Sequence, residues 1–247
     1  MAITRSEIEN TIDQVFEDLD YHKNNLKQSY LTSITEIINQ CKNINSNMKA
    51  IDIGGGIGIT SSILKRLTDV DIDIVDFHVL EEDAFSMKKS AAQVQAFYEK
   101  EGIGFKAADF ERDKLPYEDN SLDIILCEHV IEHLKNPKNI LSECMRCLKK
   151  DGIFWCSTPN AFYLPKRVVF LKGKSPMPPI EVYYEQGLKF TDHIREYSLD
   201  ELKKVIRLAG FLEVSVKTYT PYNNIWKLIG KFRPTFSQVI GVFASKT

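Results

Sequence analysis

Short apolar runs alternating with longer helical segments constrain the fold of this chain more than any other feature of its sequence. Seven runs have the length of strands: Lys49–Ile53, Ile72–Val75, Phe105–Ala108, Asp123–Cys127, Ile153–Ser157, Leu212–Tyr219 and Gln238–Ala244. Helical periodicity fills most of the intervals, as in the βαβ units of a parallel sheet covered on both faces. The last two runs lack a clear helix between them, which indicates one antiparallel strand. We therefore predict an α/β fold with a doubly wound, mostly parallel, seven-stranded sheet.

Two segments do not follow this alternation of strands and helices, and we predict that they form parts of the protein outside the sheet. Apolar residues recur at helical spacing between residues 6 and 40, so we predict an N-terminal helical cap over 1–45 and an α/β domain over 46–247. Residues 160–192 contain many aromatic residues and prolines and predict an irregular connection that acts as a lid. A flap over the sheet or a dimer contact is the alternative for this segment, and the N-terminal helices have the same alternatives.

Local signals also predict several helix ends. Residues 83–101 have helical periodicity, and a later helix passes through Leu148 and stops at the turn Lys149–Gly152. Ser198 and Glu201 have the spacing of a capping box, which predicts a helix that starts there and stops near Gly210.

The charge balance and the cysteines narrow the class of protein. Lys plus Arg total 32 against 34 for Asp plus Glu, a net charge of −2, so we do not expect nucleic acid as a partner. No apolar stretch approaches the ~18 residues of a membrane span, and the N-terminus lacks an apolar signal core. The five cysteines include no second pair that would complete a zinc site. We expect reduced thiols in a cytoplasmic protein.

The carboxyl ends of the first three predicted strands carry glycines or acids. Ligands bind at this edge of an open parallel sheet. The first strand leads into Asp52-x-Gly54-x-Gly56-x-Gly58, whose glycines allow a sharp turn and close approach of a ligand to the backbone. Asp76 closes the second strand, where a carboxylate can bind a ribose, and Asp109 with Phe110 closes the third, where the pair suits an adenine. No cation stands among these positions to pair with a pyrophosphate, so S-adenosylmethionine fits better than NAD.

Three sequence motifs together make the chain resemble the class I S-adenosylmethionine-dependent methyltransferases. Residues 50–58 (AIDIGGGIG) resemble motif I of that family. Residues 115–123 (LPYEDNSLD) and 148–153 (LKKDGI) resemble the segments before its fourth and fifth strands. The resemblance implies a Rossmann-like methyltransferase fold and S-adenosyl-L-methionine as cofactor. Taken singly, each motif is also compatible with an ordinary turn or helix cap.

The resemblance also implies a role for each residue of the predicted cofactor site. Asp52, Gly54 and Gly56 would hold the methionine end, Asp76 the ribose, and Asp109 with Phe110 the adenine. Gly58, Phe77 and Glu128 complete the predicted cofactor-binding set.

The segment after the fourth predicted strand carries the candidate catalytic residues. If residues 129–135 form a helical turn, His129 and His133 share a face at i and i+4. This stretch (EHVIEHL) and Asp192–Ser198 (DHIREYS) resemble the family branch that includes ubiquinone-pathway O-methyltransferases and tailoring enzymes of glycans and natural products. We predict His129, His133 and His193 as catalytic residues that contact the acceptor or take its proton. For His133, a purely structural polar contact is the alternative.

A metal site is a further alternative for the same residues. In some relatives, including small-RNA 2′-O-methyltransferases, a Glu-x-x-Glu-His motif and a distant histidine bind a divalent metal. The matching set here is His129, Glu132, His133 and His193, which is chemically suitable for a metal ion. His129 departs from the pattern at its first position, and we predict a site without a metal.

These features together predict an enzyme that methylates a hydroxyl group of a small molecule or glycan unit. The alternatives are N-methylation of an amino sugar or another amine, methylation of an RNA ribose, and a scaffold that binds S-adenosylmethionine without turnover. The sequence leaves open whether the chain forms a homodimer.

Overall fold

A computed structural model describes residues 3–21, 26–41, 43–77, 90–177, 179–186, 193–221, 228, 230 and 232–246. Its helices are α1 (Arg5–Asp18), α2 (Lys27–Gln40), α3 (Ile59–Thr68), α4 (Ala91–Glu101), α5 (Pro137–Cys147), α6 (Leu164–Leu171), α7 (Ile180–Gln186) and α8 (Leu199–Leu208). Its strands are β1 (Lys49–Ile53), β2 (Asp71–Asp76), β3 (Gly104–Ala107), β4 (Leu122–Glu128), β5 (Leu148–Pro159), β6 (Leu212–Tyr219) and β7 (Val239–Ser245). Short 3₁₀ turns cover Ile131–His133 and Pro234–Phe236.

The seven strands form one sheet in the order β3-β2-β1-β4-β5-β7-β6. Strands β1 to β5 pair in parallel, and β7 runs antiparallel between β5 and β6. The predicted seven-stranded, mostly parallel α/β sheet is therefore confirmed, including its antiparallel end. The strand order reverses between β1 and β4, and a crevice at such a switch point is where open α/β sheets bind ligands.

The register of the sheet places the ends of three strands at one level. Ile53 at the end of β1 pairs with Val75 of β2 on one side and with Cys127 of β4 on the other. The residues that follow these three in the sequence are Gly54, Asp76 and Glu128. The backbone N–H of Gly54 donates to the carbonyl of Val75 at 2.8 Å, which holds the first turn against the second strand.

Alternate residues of each strand belong to two different cores. Ile124 and Leu126 of β4 face the core built with α1 to α4, whereas Ile125 and Cys127 face the core built with α5 and α8. This alternation is expected where helices cover both faces of a sheet. All five cysteines are free thiols buried in these cores.

The N-terminal helices are part of the first core. Ile12 of α1 and Ile34 and Ile37 of α2 are fully buried and pack in the same cluster as residues of α3 and α4. A capping box at Thr4 and Glu7 starts α1. The predicted division of the chain at residue 45 stays a prediction, although the two helices share their core with the sheet.

Two predicted helix boundaries can be compared with the described residues. The capping box at Ser198 and Glu201 is confirmed at the start of α8, which ends before Gly210. The prediction that α5 continues through Leu148 to a turn at Lys149–Gly152 is wrong, because β5 already begins at Leu148. Leu148 is fully buried and pairs with Leu122 of β4, so tertiary pairing outweighs the local turn signal.

The start of α4 and the segment 160–192 can also be compared with the sequence prediction. Helix α4 begins at Ala91 behind a capping box at Ser90 and Gln93, and residues 83–89 of the predicted helix lie outside the described residues. The prediction that residues 160–192 are irregular is wrong in part, because α6 and α7 lie within them. A proline near the first turn starts α6, where its fixed φ favours a helix. Within the ranges given above, no helix combines the length and apolar character that a membrane span requires.

Candidate functional site

The glycine-rich turn after β1 has a backbone that other residues adopt only with strain. Gly54, Gly56 and Gly58 have φ values of 65°, 56° and 83°, all in the left-handed region. A Cβ on Gly54 would lie 2.4 Å from Cγ2 of Val130, so this position has no room for a side chain. The turn therefore brings bare backbone to the edge of the sheet, and its role as a ligand cradle stays a prediction.

Asp52 lies beneath this turn and is almost fully buried, with 2% of its surface exposed. Ser61 Oγ of α3 donates a hydrogen bond to Asp52 Oδ2 at 2.7 Å. Burial raises the pKa of the Asp52 carboxyl to about 7, against the hydrogen bond from Ser61 and with the help of the negative charges of Glu128 and Asp76. A cation that approaches this carboxylate would restore its ordinary acidity.

Asp76 ends β2 beside the same turn. It is 5% exposed, and its Oδ2 accepts a hydrogen bond from the backbone N–H of Gly56 at 3.3 Å. The structure thus brings Asp76 to the glycine turn, as predicted. The next residue, Phe77, is 45% exposed.

Glu128 at the end of β4 connects three elements of the fold. Ser33 Oγ of α2 and Trp155 Nε1 of β5 both donate to its Oε1, the latter at 2.9 Å. Thr60 Oγ1 of α3 donates to its Oε2 at 3.1 Å. These contacts hold the N-terminal helices, the glycine turn and the central strands around one carboxylate.

Asp109 and Phe110 follow β3 but do not directly close it, although the sequence predicts that they would. β3 ends at Ala107, so Asp109 lies two residues beyond the strand. Its Oδ1 accepts the backbone N–H of Glu111 at 2.9 Å, a local turn contact of the kind that short acidic side chains form. Phe110 is half-buried and packs against the second core.

A cavity of about 390 Å³ opens above the glycine turn. Asp52, Gly54, Gly56, Glu128 and His129 line it, so it contains five of the predicted site residues. Its described lining includes these two acids and neither lysine nor arginine. This charge pattern suits a ligand with a cationic end. The other seven predicted site residues are not among the lining residues: Gly58, Asp76, Phe77, Asp109, Phe110, His133 and His193.

The lining of this cavity also includes residues of α2 and of the C-terminal strand ends, which are absent from the set predicted from the sequence. Tyr30 and Ser33 reach it from α2, and Tyr219 and Gln238 reach it from the ends of β6 and β7. Ser29 and Ser33 stand at i and i+4 on α2. The helix carries many other polar residues, Lys27, Gln28 and Glu36 among them, so this pair is not a distinctive signal in the sequence. The two C-terminal residues have no local signal, because only the sheet order brings them near β1.

The predicted arrangement of His129 and His133 on one helical face is wrong. Only Ile131–His133 form a 3₁₀ turn, and His129 lies before it with a left-handed φ of 56°. His129 therefore points to the cavity, whereas His133 pairs with His193, whose ring centroid is 5.1 Å away at an edge-to-face angle of 74°. His193 Nδ1 in turn lies 3.0 Å from Glu196 Oε1.

Glu132 joins the three histidines into one cluster. The side chain is fully buried, and its Oε2 accepts a hydrogen bond from Thr158 Oγ1 at 2.9 Å. Its Oε1 lies 3.5 Å from His129 Nδ1 and has no hydrogen-bond partner among the described residues. The backbone carbonyl of Glu132 accepts the N–H groups of Ile194 and Arg195, which fixes the His193 segment to the turn.

Contact between Glu132 and His129 shifts both of their pKa values. Loss of solvent lowers the pKa of His129, but the interaction with Glu132 outweighs this effect and the pKa lies above its usual value. Burial raises the pKa of Glu132, but its interaction with His129 outweighs this and the pKa lies below its usual value. The pair therefore favours a charged imidazolium beside a carboxylate.

Three residues of this cluster have the geometry of metal ligands. Glu132, His133 and His193 each offer one ligand atom, and these atoms lie within 4.8 Å of one another. Carboxylate and imidazole ligands suit zinc and other first-row divalent metals. The structure brings together three of the four residues weighed as a metal set, and His129 is outside this group.

The fold and the strand-end site define a Rossmann-like methyltransferase domain, and comparison with known proteins gives the family. A family model described as a methyltransferase domain matches residues 25–216 of the chain. The chain belongs to this family, which confirms the family predicted from the sequence, and S-adenosyl-L-methionine is the cofactor that this membership assigns. The matched residues include α2.

Similar proteins include O-methyltransferases of ubiquinone biosynthesis. The chain is 26% identical over 186 residues to such an enzyme of Roseobacter denitrificans, covering 74% of this chain and 68% of that protein. It is 34% identical over 99 residues to a protein of Mycolicibacterium smegmatis named "Probable S-adenosylmethionine-dependent methyltransferase", covering 40% of this chain. The chain spans only 31–32% of the length of the mycobacterial relatives that it matches.

Solved structures support the fold independently of sequence. The crystal structure of an S-adenosylmethionine-dependent methyltransferase of Mesorhizobium loti aligns with a TM-score of 0.60 at 15% identity, covering 87% of this chain and 97% of that chain. At this identity the likeness shows the fold alone, which confirms the predicted Rossmann-like methyltransferase fold.

Proposed function

We propose that the chain is an S-adenosylmethionine-dependent methyltransferase that methylates a hydroxyl group of a small molecule or glycan unit. The observation that carries this proposal is the histidine cluster beside the cavity. One wall of the cavity is the glycine turn with Asp52, and His129 lines it as part of the cluster with Glu132, His133 and His193. Family membership supports the activity, and the cluster favours a hydroxyl acceptor.

The residues around the turn fit S-adenosylmethionine by shape and by charge. Gly54 and Gly56 offer backbone without side chains, and Asp52 and Glu128 supply negative charge. Asp76, already in contact with the N–H of Gly56, would bind the ribose. The bound cofactor supplies an electrophilic methyl group on a positive sulfur, and the protein's part is to align the acceptor oxygen with it.

A hydroxyl acceptor needs a base, and His193 with His133 is suited to that role. The contact between His193 Nδ1 and Glu196 fixes the orientation of the ring, as a carboxylate does for a general-base histidine. His133 packs edge-on against it. His129, whose charged form is favoured by Glu132, would orient the acceptor oxygen from the cavity wall.

Substitution of the two histidines tests this proposal. His193→Ala and His133→Ala should leave S-adenosylmethionine affinity unchanged in calorimetry and reduce turnover by about 100-fold or more. Turnover is measured as formation of S-adenosylhomocysteine with the hydroxyl compounds of an acceptor panel. Ile194→Ala, on the neighbouring and 40% exposed residue, is the matched control. Full activity of both histidine variants would remove the base from the proposal and favour an amine acceptor, which only needs to be neutral.

A divalent cation is a second candidate for the same cluster. Two observations favour it. Glu132 Oε1 is buried without a hydrogen bond among the described residues, and a carboxylate oxygen of Glu132 lies within 4.8 Å of ligand atoms of His133 and His193. Buried carboxylate oxygens are normally satisfied, and a metal ion would satisfy this one. Metal analysis of the purified protein, with turnover before and after chelation, separates the two possibilities. Metal-free protein with full turnover supports the base, and loss of turnover that zinc or magnesium restores supports the cation.

A further inference from the structure

A surface beside the cavity exposes large apolar side chains to solvent. We call it the basic apolar face and define it as residues 162–177 together with residues 232–236. α6 contains no buried residue, and Phe170 and Leu171 at its end are 71% and 84% exposed. Phe232 is 76% exposed. Contiguous exposed apolar groups of this kind mark interaction sites on proteins.

Contacts of Arg167 join the two parts of this face into one surface. Its Nη2 donates to the backbone carbonyl of Thr235 at 3.1 Å, and its Nε donates to the carbonyl of Phe162 at 2.6 Å. Its guanidinium carbon lies 4.6 Å from the ring centroid of Phe236 and 5.3 Å from that of Phe162. Helix α6 and the turn before β7 therefore present their side chains next to each other.

The charge of this face differs from that of the whole chain. Residues 162–177 contain four cations and no acid, and residues 232–236 add Arg233 without an acid, in a chain of net charge −2. Lys166 is paired with Glu196, so the positive charge of the face comes from Arg167, Lys172, Lys174 and Arg233. Lys172 and Lys174 are exposed directly after the apolar end of α6. The surface of α8 has mixed charge instead. Its exposed Leu208 and Lys204 lie on the same helix as the acids Asp200 and Glu201.

We propose that the basic apolar face docks the protein onto the surface of an anionic phospholipid bilayer. Lysines and arginines are attracted to anionic headgroups, and Phe and Leu side chains enter the boundary between headgroups and acyl chains. A second copy of the chain fits less well, because a symmetric contact through this face would bring its cations against those of the partner. Nucleic acid would leave Phe170 and Leu171 in water.

If the basic apolar face lies on the bilayer, the cavity is close to the bilayer as well. Pro159 and Gln238 line the cavity, and their chain neighbours Asn160 and Ser237 are joined by a hydrogen bond from Asn160 Nδ2 to the carbonyl of Ser237 at 2.7 Å. Asn160 Nδ2 also donates to the carbonyl of Thr235, within the face itself. The face and the cavity are thus adjacent, joined through the hydrogen bonds of Asn160.

Vesicle co-sedimentation tests the docking without reference to any methyl transfer. The full chain should bind vesicles of equal parts phosphatidylglycerol and phosphatidylcholine, and it should bind vesicles of phosphatidylcholine alone about tenfold less. The double variants Phe170→Ser/Leu171→Ser and Lys172→Glu/Lys174→Glu should each lower the partition coefficient on anionic vesicles by about tenfold or more. The matched control is Lys204→Glu/Leu208→Ser, which changes the same residue types on α8 and should bind like the unaltered protein.

All substituted side chains are exposed, so thermal denaturation should give nearly equal Tm values for the variants and the unaltered protein. No binding of the unaltered chain to anionic vesicles would overturn the proposal, as would equal binding of all variants. Analytical ultracentrifugation of the same samples tests the alternative, in which a second copy of the chain binds this face, by measuring whether the protein is a dimer. A dimer that the Phe170→Ser/Leu171→Ser variant dissociates, in a protein that does not bind vesicles, would assign the face to a second copy.

Discussion

The carboxyl ends of β1, β2 and β4 and the basic apolar face illustrate two different ways of building a surface. At the strand ends, Asp52 and Asp76 are buried and hydrogen-bonded, and the glycine turn has a backbone with positive φ. On the basic apolar face, Phe170 and Leu171 extend into solvent from a helix without a buried residue. The conformation of the strand-end residues is fixed by contacts within the protein. The exposed side chains of the basic apolar face have few such contacts, and they become buried only when a partner binds.

This difference predicts that substitutions in the two regions have different consequences. A change at the strand ends removes packing or a hydrogen bond, so it alters stability and cofactor binding together. A change of an exposed side chain on the basic apolar face alters stability by less than about 0.5 kcal/mol. The following substitutions test the strand-end region, and they are ordered from the largest expected effect to the smallest.

Gly54→Ala should have the largest effect on stability. The new Cβ would lie 2.4 Å from Val130 Cγ2 at a φ of 65°, so we expect a loss of about 3 kcal/mol and a Tm lower by about 10 °C. Gly173→Ala on the basic apolar face is the control, because Gly173 has a φ of 71° and no neighbouring atom within 4 Å of the new Cβ. Its cost should be about 1 kcal/mol, that of the backbone alone. Equal costs in thermal denaturation would contradict the close packing at Gly54.

Asp76→Ala should weaken S-adenosylmethionine binding by well over tenfold, because the ribose would lose its carboxylate. The control Asp73→Ala lies on the same strand, where its carboxylate accepts a hydrogen bond from Tyr117 Oη at 2.7 Å. That variant should change stability but not cofactor affinity. Calorimetric titration of both variants measures the difference, and unchanged affinity in Asp76→Ala would reject the ribose role.

Asp52 should make cofactor binding depend on pH. Its pKa of about 7 in the folded protein exceeds the ordinary value of 3.8, so the carboxyl destabilises the fold increasingly as pH rises from about 4 to 7. A bound cation favours the ionised form, so affinity for S-adenosylmethionine should rise between about pH 6 and 7.5 with release of a proton. Asp52→Asn should abolish this rise and be relatively more stable at the upper end of the range. Titrations in two buffers of different ionisation enthalpy detect the proton, and identical pH profiles of the two proteins would exclude the effect.

Tyr98→Phe should have the smallest effect of the four. Tyr98 Oη donates a hydrogen bond to the backbone carbonyl of Gly56. Its removal should cost about 1 kcal/mol and loosen the turn without removing a group that contacts the cofactor. Thermal denaturation with and without S-adenosylmethionine measures both effects. A loss of affinity as large as that of Asp76→Ala would show that the turn depends on this contact.

The sequence predicts the strand-end region well because its geometry limits the choice of residues. Gly54 is required by positive φ and close packing, and Gly56 by positive φ. Asp76 ends β2, whose strand pattern comes from Ile72, Ile74 and Val75. The motifs at residues 50–58, 115–123 and 148–153 occur in the order typical of the family, and this order is what makes the family visible in the sequence.

Where the sequence prediction failed, the deciding contacts are distant along the chain. Leu148 belongs to β5 because it pairs with Leu122, and His133 pairs with His193 across 60 positions rather than with His129 four positions away. Tyr219 and Gln238 reach the cavity only through the position of β7 between β5 and β6. The helices α6 and α7 escape prediction because their prolines and exposed apolar residues hide the periodicity of a helix that packs on a core.

Parallel calorimetric titrations of the unaltered protein with S-adenosylmethionine and with NAD test the central claim most directly. The glycine turn, the buried acids and a cavity lining with acids but no lysine or arginine among the described residues predict saturable binding of S-adenosylmethionine at one site. They also predict no measurable binding of NAD, whose pyrophosphate would meet those acids. Binding of NAD in place of S-adenosylmethionine, or of neither ligand, would contradict the account.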